Sequence, residues 1–430
     1  MGRVSFHTLG CKLNFAETSN LRREFEARGY ETVDQRGTCD ISVINTCSVT
    51  AEADRKCRQI IRRAHRLNPH AFIVVTGCYA QLRPNEVASI EGVSAVLGNA
   101  EKARIFELLD DFVPAAHTQI SVSCTGTHTS FAPALLSDDR TRAFLKIQDG
   151  CDYSCSFCTI PMARGKSRSA SPDEIVTQAE SLVQRGVKEI ILTGVNIGLY
   201  GKGSLDKNVG PQFLHLLHRL SKVDGILRYR ISSIEPNLLT DDIIDFIADT
   251  PVMVPHFHIP LQSGNNAVLG AMRRRYRREV YSHRVEYIRE RMPEASIGAD
   301  VIVGFPAETA ERFADTRTFL ANLPVTYLHV FTYSERPNTV SVNQTHRAVP
   351  PPDRRLRNRT LRALSDRKRR LFRDQFRGQT RPVLWERNVK SDAIQGYTDN
   401  YIRVSRPFDC DRVGVVENVT LGSADAQFVI

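Results

Sequence analysis

The chain has 430 residues, room for about three domains. It carries 58 Lys+Arg against 48 Asp+Glu, a formal net charge of +10, with 41% apolar and 25% charged residues, ten cysteines and one tryptophan. That balance excludes wholesale disorder and collagen-like repeats, and no uninterrupted apolar run approaches the roughly 20 residues of a membrane-spanning helix. Residues 1–10 lack the basic and apolar regions of a signal peptide, so the expected compartment is the cytosol, with no membrane partner. Thiols stay reduced there, so ten cysteines point to metal, cluster or catalytic chemistry rather than to disulfides.

In chain order, residues 3–8 read as a strand, and apolar β-branched runs at 41–45 and 72–76 read as two more. Helical patterns lie at 14–28 and 51–67, and a further helix is expected over 100–112. This alternation predicts a small α/β domain on a parallel sheet. Residues 113–140 are rich in Pro, Ser, Thr, Ala and His without periodicity and read as a linker. Six strand-like runs follow at 143–148, 188–193, 227–232, 256–260, 297–304 and 326–331, with helical stretches between them such as 172–186, 240–248, 277–291 and 308–322. Six βα units predict an open (β/α)6 barrel rather than a closed eightfold one. After Pro350, Pro351 and Pro352 comes a basic helical stretch to about Arg377. Short β runs at 382–389, 400–404, 413–420 and 426–430 then predict a small all-β, OB-like barrel.

Cys151, Cys155 and Cys158 form a C-x3-C-x2-C loop after the first barrel strand. The carboxyl ends of such strands carry the active face. Three thiolates so spaced hold three irons of a 4Fe-4S cluster and leave the fourth open for a substrate. Zinc or unpaired cysteines are the alternatives, but a structural zinc wants a fourth ligand, and no His or further Cys lies within 20 residues on either side of the loop. Cys11, Cys47 and Cys78 are far apart, yet each follows an apolar strand run. In a parallel sheet all strands end at one edge, where ligand sites form. Position alone leaves two readings open: convergence on a ligand, or three ordinary buried thiols.

The cysteine loop, with Phe157 before its last cysteine, resembles the radical S-adenosylmethionine (SAM) signature. TLGCKLN (8–14), NTCSVT (45–50) with ADRKCRQIIRR (53–63), and TGCYAQ (76–81) resemble the N-terminal domain of the methylthiotransferase family. LKIQDGCDYSCSFCTIPMARGKSRS (145–169) resembles its radical SAM core, and Lys12-Leu13-Asn14 with NTCSVT-x-x-AD is most similar to the MtaB-type subgroup. Trp385 and GYTDNYIRV (396–404) resemble a TRAM domain, which implies RNA binding. The implied division is a methylthiotransferase N-terminal domain at 1–113, a linker at 114–136, a radical SAM core at 137–368 and a TRAM domain at 372–430. The resemblance also implies that Cys151, Cys155 and Cys158 hold the cluster that binds and cleaves SAM. Cys11, Cys47 and Cys78 would ligate an auxiliary 4Fe-4S cluster bearing the sulfur. An electron donor such as flavodoxin or ferredoxin is implied as a partner. Cys39, Cys57, Cys124 and Cys410 are expected to be non-ligands, although Cys57 stands where the family more often has serine.

SAM needs polar groups at the barrel mouth. Asn196, Ser232, Glu235, Gln262 and Ser263 follow strands, Asp300 lies on the fifth, and Phe157 lies in the loop; these are candidate SAM contacts. The plainer reading of each polar one is a helix-capping loop residue. GFPAET (304–309) has Ala307 where the family usually has Gly. Arg164 is read as a contact to SAM or RNA phosphate, or as a surface arginine.

Residues 351–381 hold twelve Arg/Lys and three acids, a net +9. With the knot at 273–278, this makes Arg273, Arg274, Arg367, Lys368, Arg369 and Arg370 candidate RNA contacts, which give affinity rather than base choice. The implied function is methylthiolation of N6-threonylcarbamoyladenosine to its 2-methylthio form, next to the anticodon (position 37) in a tRNA anticodon stem-loop. A radical step needs no acid–base pair. The alternatives are an isopentenyl-adenosine in tRNA or a ribosomal-protein aspartate as target. From another class, the alternative is a non-catalytic Fe–S or zinc RNA-binding protein.

Overall fold

Apolar runs without alternation make strands buried on both faces, and the first sheet is built from them. In the computed structural model the order is β1 (Arg3–Thr8), α1 (Lys12–Ala27), β2 (Glu31–Val33), β3 (Ile41–Thr46), α2 (Ala51–Leu67), β4 (Phe72–Gly77), α3 (Cys78–Leu82), α4 (Pro84–Ala88), β5 (Val93–Leu97), α5 (Ile105–Asp110) and β6 (Gln119–Ser121). The structure describes residues 2–110, 118–127, 131, 134–136, 141–202, 212–387, 392–423 and 426–429. All six strands are parallel, in the order β2-β1-β3-β4-β5-β6. Phe72 and Val74 of β4 share one core with Phe25 of α1 and Phe106 of α5. Ile73 and Val75 share the opposite core with Ile61 of α2 and Val87 of α4. Each such side chain contributes roughly 1.5–3 kcal/mol by burial, which is why β4 sits inside the sheet.

Sequence reading passes over β2, β5 and β6. β5 interleaves Ser94 and Ala95 with its valines, which weakens the strand signal. The helix expected over 100–112 is a 3-10 turn at Glu101–Arg104 followed by α5. Residues 111–112 lie outside the described residues, as do 113–117, 128–130, 132–133 and 137–140 of the expected linker. A short strand, β7 (Ala134–Leu136), stands within it.

The chain packs as two units: Met1–Leu136, Gln148–Ser169 and Ser334–Val342 form one, and Ser137–Ile147, Ala170–Tyr333 and Asn343–Ile430 form the other. In the second unit lies β8 (Arg142–Lys146). The first unit takes the short antiparallel pair β9 (Gln148–Asp149) and β10 (Arg168–Ser169), with α6 (Ile160–Arg164) between them. α7 (Pro172–Gln184), β11 (Glu189–Thr193), α8 (Gln212–Leu220), β12 (Arg228–Ile231), α9 (Asp241–Asp249) and β13 (His256–Gln262) continue the second unit. α10 (Asn266–Ala271), α11 (Arg278–Arg291), β14 (Ser296–Val303), α12 (Ala310–Asn322) and β15 (Tyr327–Thr332) complete its alternating part. β8, β11 and β12 form one parallel ladder and β13, β14 and β15 another. Single parallel bridges, Tyr229–Met253 and Ser233–His258, join the two. The six strands thus run in chain order, as an open barrel requires.

An open barrel leaves strand edges bare, and a bare edge is a template for foreign pairing. The basic helix α13 (Pro351–Asp374) covers β15. Ser365 Oγ accepts from Leu328 N at 2.8 Å and donates to Leu328 O at 3.0 Å, and Asn358 Nδ2 donates to Val330 O at 3.3 Å. After it come β16 (Thr380–Arg387), β17 (Ala393–Thr398), β18 (Arg403–Pro407), β19 (Val416–Thr420) and β20 (Gln427–Phe428). They form one curled antiparallel sheet, β19-β16-β17-β18-β20, around Trp385, Ile394 and Val404. β17 escapes the sequence reading because Gln395 and Gly396 dilute its pattern. The strand expected at 400–404 begins only at Arg403, because Tyr401 turns the chain with φ +69°. Residues 388–389 and 430 of the expected strands lie outside the described residues.

The foot of the barrel is a buried charge lattice. Glu189 opens β11 fully buried; Arg230 grips it at 2.8 and 3.2 Å, and Arg228 lies at 3.6 Å. Arg142 forks onto Glu386 with two 2.8 Å bonds, Arg228 donates to Pro382 O at 2.8 Å, and Arg230 to Asp399 O at 3.1 Å. These bonds tie the β module to the foot. Burial pushes the Glu189 carboxyl up, but Arg230, then Arg142 and Arg228, outweigh burial and hold it below its ordinary range. Glu189→Gln leaves buried guanidinium without its carboxylate. The expected loss is about 3–5 kcal/mol, read from the chemical-denaturation midpoint; a loss under about 1 kcal/mol would contradict the lattice.

Candidate active site

The ends of β1, β3 and β4 stand level, because Thr8 pairs with Asn45 and Asn45 with Thr76. Cys11, Cys47 and Cys78 follow those ends and come to one sheet edge. Cys47 packs directly against the Gly10–Cys11 turn, its Sγ 3.0 Å from where a Cβ on Gly10 would stand. Two glycines make the approach possible. A Cβ on Gly10 (φ +105°) would stand 2.7 Å from Cys47 Cβ, and one on Gly77 (φ +98°) would stand 2.4 Å from Thr46 O. Asn14 Nδ2 staples Leu9 O at 2.7 Å to Thr46 O at 3.0 Å, binding the Cys11 turn to the Cys47 strand. Beyond Cys47, Ser48 donates to Asp54 at 2.7 Å, and Arg336 donates to both, at 2.7 and 2.6 Å.

Burial pushes the Cys47 thiol up to about 12. Burial also raises Cys78, against the pull of Arg164 and Lys102. Three thiols following level strand ends at one glycine-cleared sheet edge form a donor set that fits an iron–sulfur cluster held by three cysteines. Cys57 is buried on α2 and donates from Sγ to Cys47 O at 3.4 Å, so it serves the turn through a hydrogen bond. Cys39 precedes β3, at the far end of the strand, with Ser5 Oγ at 3.3 Å. Cys124 and Cys410 are exposed.

The Cys151 loop is shaped by its backbone. Gly150 adopts φ +71°, where a Cβ would strike Lys166 O at 2.0 Å, and Cys151 N donates to Gly165 O at 3.0 Å. Tyr153 N points at Cys151 Sγ and Ile160 N at Cys158 Sγ, each at 3.4 Å. N–H groups aimed at sulfur tune any cluster it holds. The three cysteines are half-buried, as is Phe157.

Arg164 overturns its surface reading: its side chain is 1% exposed. Its guanidinium donates to Asn14 Oδ1 at 2.6 Å, Glu17 Oε1 at 2.9 Å and Asp149 Oδ1 at 3.0 Å. Glu17 also pairs with Lys102, and Asp149 with Arg168 at 3.2 Å. Sequence reading missed Glu17, Lys102 and Asp149 altogether. The available signal was Asn14, Thr18 and Ser19 on the buried stripe of α1, polar residues where a core helix wants apolar ones.

In the barrel unit, Asn196 and Ser232 follow β11 and β12 and are buried. Gln262 ends β13 at φ +68°, where the ladder register shifts, a strained backbone of the kind kept at functional sites. Ser263 turns its hydroxyl to Thr316 at 3.1 Å. Glu235 is ion-paired with Arg274, whose side chain is 4% exposed; burial raises the carboxyl against that pairing. Arg274 therefore faces inward, while Arg273 is exposed. Asp300 receives His258 at 2.8 Å and His329 at 3.3 Å, and Ser233 lies 2.6 Å from His258 Nδ1. Burial would raise the Asp300 carboxyl, but the two histidine hydrogen bonds hold it far below its ordinary value. Ala307 sits at φ +74°, a left-handed conformation that suits glycine.

The basic segment divides by helix face. Lys368 caps the end of α12 through Ala321 O at 3.1 Å and Leu323 O at 2.7 Å, and burial lowers it to about 8. Arg369 and Arg370 join Arg373, Arg403, Tyr397 and Tyr401 around a cavity of about 370 Å³. Arg367 is exposed.

Six parallel strands in chain order, with a C-x3-C-x2-C loop after the first, mark a radical SAM enzyme. Residues 145–320 match the Radical SAM superfamily, and residues 3–98 match the family described as Uncharacterized protein family UPF0004. Threonylcarbamoyladenosine tRNA methylthiotransferase MtaB of Bacillus subtilis is 40% identical over 100% of this chain and 97% of its own length. The Aquifex aeolicus protein of the same name is 38% identical over 94% and 96%. The radical SAM methyltransferase TsrM of Kitasatospora setae, solved with cobalamin and a [4Fe-4S] cluster, superposes with a TM-score of 0.57 at 16% identity, over 80% of this chain and 77% of that one. That last likeness is of fold. The chain belongs to the radical SAM tRNA methylthiotransferases, of the MtaB type. Among the described residues no helix is long and apolar enough to cross a membrane.

Cys57 and Cys47 make a contrasting pair. Cys47→Ala is expected to remove about half of the iron bound by anaerobically reconstituted protein. Cys57→Ala should leave iron unchanged and cost about 1 kcal/mol of stability for the lost hydrogen bond. Iron loss in Cys57→Ala would make it a ligand.

Proposed function

We propose that this enzyme converts N6-threonylcarbamoyladenosine to its 2-methylthio form at position 37, next to the anticodon of tRNA, using SAM and two 4Fe-4S clusters. The observation that carries this reading is the pair of separate cysteine triads, one on a loop and one gathered at a sheet edge. Cys151, Cys155 and Cys158 hold the SAM-binding cluster; Cys11, Cys47 and Cys78 hold the auxiliary one. When bound, these groups supply one-electron cleavage of SAM and a sulfur for methylation and transfer. Asn196, Ser232, Gln262 and Asp300 bind and orient SAM, with Phe157 from the loop. Glu235 and Ser263 shape the mouth through Arg274 and Thr316.

The RNA backbone meets Arg273, Arg367, Arg369 and Arg370, while Arg274 and Lys368 brace the protein from within. In this reading residues 1–113 form the auxiliary-cluster domain, joined by strand β6 from within the 114–136 segment expected as a linker, with 137–368 the radical SAM core and 372–430 a TRAM domain. A flavodoxin or ferredoxin supplies electrons in the cytoplasm. The names of the Bacillus and Aquifex relatives support the threonylcarbamoyl target. The second reading, an isopentenyl-type target, is favoured by a Hydrogenobaculum relative named tRNA-2-methylthio-N(6)-dimethylallyladenosine synthase, 32% identical over 77% of each chain.

Mass spectrometry of tRNA nucleosides separates the two. Cells lacking the gene should lose 2-methylthio-threonylcarbamoyladenosine, accumulate its unthiolated parent and keep the isopentenyl product. Loss of the isopentenyl product instead would transfer the assignment.

A further inference from the structure

We propose that Arg164 is a positioning residue that locks the two cysteine triads into one frame and sets the electrostatic potential at the Cys11/Cys47/Cys78 edge. The proposal rests on the two-cluster reading above.

A guanidinium removed from water loses several kcal/mol of solvation, and only a full set of well-placed acceptors compensates it. Arg164 has that set. Its planar fork gives one nitrogen to Glu17 and Asp149 and the other to Asn14. Those acceptors belong to the two cysteine segments. Asn14 lies three residues after Cys11 and also staples the Cys47 strand through Thr46 O. Asp149 lies two residues before Cys151 and accepts Gly150 N at 2.8 Å. The peptide after Arg164 closes the circuit, since Gly165 O accepts Cys151 N at 3.0 Å. Asn99 adds a strut to α6, donating to Ala163 O at 2.7 Å. A shift of either cysteine segment against the other breaks the fork, and a lysine cannot replace its three-way geometry.

The charges have a sign as well as a shape. Arg164, Lys102 and Arg168 surround Glu17 and Asp149, three cations against two anions. Asn14 Oδ1 accepts from Arg164 at 2.6 Å and lies 3.8 Å from Cys11 Sγ, so a single shared oxygen stands between the guanidinium and the first thiol of that edge. Positive charge beside a cluster favours its reduced, more negative state. Neutralising Arg164 therefore moves the reduction potential of the auxiliary cluster in the negative direction, and neutralising Glu17 moves it in the positive direction. A purely structural ion pair predicts no such opposition of sign.

The test uses full-length, anaerobically reconstituted protein, with potentiometric titration followed by electron paramagnetic resonance. The auxiliary signal is the one retained when Cys151, Cys155 and Cys158 are replaced. Arg164→Gln is expected to shift it negative and Glu17→Gln positive. Arg164→Lys should restore the potential but not the frame. In both Arg164 variants deoxyadenosine formed per methylthiolated product should rise by up to about a hundredfold, the scale of a reacting centre misplaced by an ångström. If Arg164→Gln does not load iron, Glu17→Gln carries the sign test and Arg164→Lys the frame test. Two clusters in the wild type with unchanged potentials in the variants, or shifts of one sign, overturn this proposal alone. A wild type holding a single cluster overturns it together with the two-cluster reading.

Discussion

Every strand of a parallel sheet ends at the same edge, and the site depends on that constraint. Cys11, Cys47 and Cys78 are separated by more than thirty residues at each step, so no local motif can gather them. The register of β1, β3 and β4 gathers them instead. The apolar runs that build the strands are thus also what aims the thiols. The glycines at 10 and 77 follow from the same demand, since side chains there would collide with Cys47 and with Thr46.

Buried charge is the second organising element. Arg164, Arg230 and Arg336 are each almost fully buried and each grips a carboxylate: Glu17 and Asp149, Glu189, and Asp54. Such groups cannot lose a partner without leaving a charge stranded in a low dielectric. This alters the meaning of the chain's basic balance. Of the +9 segment, Ser365 and Asn358 seal a strand edge, Arg354 donates to Val349 O at 2.7 Å, Arg357 pairs with Glu308 at 2.6 Å, and Lys368 caps a helix. Arg367 is exposed, and Arg369 and Arg370 line the cavity.

Much of this was legible in the sequence, for identifiable reasons. Strands such as Phe72–Gly77 are continuous apolar runs, and the six barrel strands repeat at helix-spaced intervals. The C-x3-C-x2-C loop carries its chemistry locally. What escaped depends on partners distant in the chain. Nothing at Arg164 announces Asn14, and nothing at Glu235 announces Arg274. β5 and β17 are strands because neighbours pair with them, not because Ser94, Gln395 or Gly396 favour extension. Lys368 looked like one more member of a basic run until α12 stood beneath it. Ala307 shows the reverse: the departure from glycine was visible, and its left-handed φ became visible only in the fold.

The sheet edge is predicted to hold a cluster independently of the C-x3-C-x2-C loop. Iron and sulfide analysis of anaerobically reconstituted protein with Cys151, Cys155 and Cys158 all replaced by alanine tests it most directly. About four irons and four sulfides per chain, the content of one cubane cluster, are predicted to remain. Protein that folds but binds no iron would contradict the account.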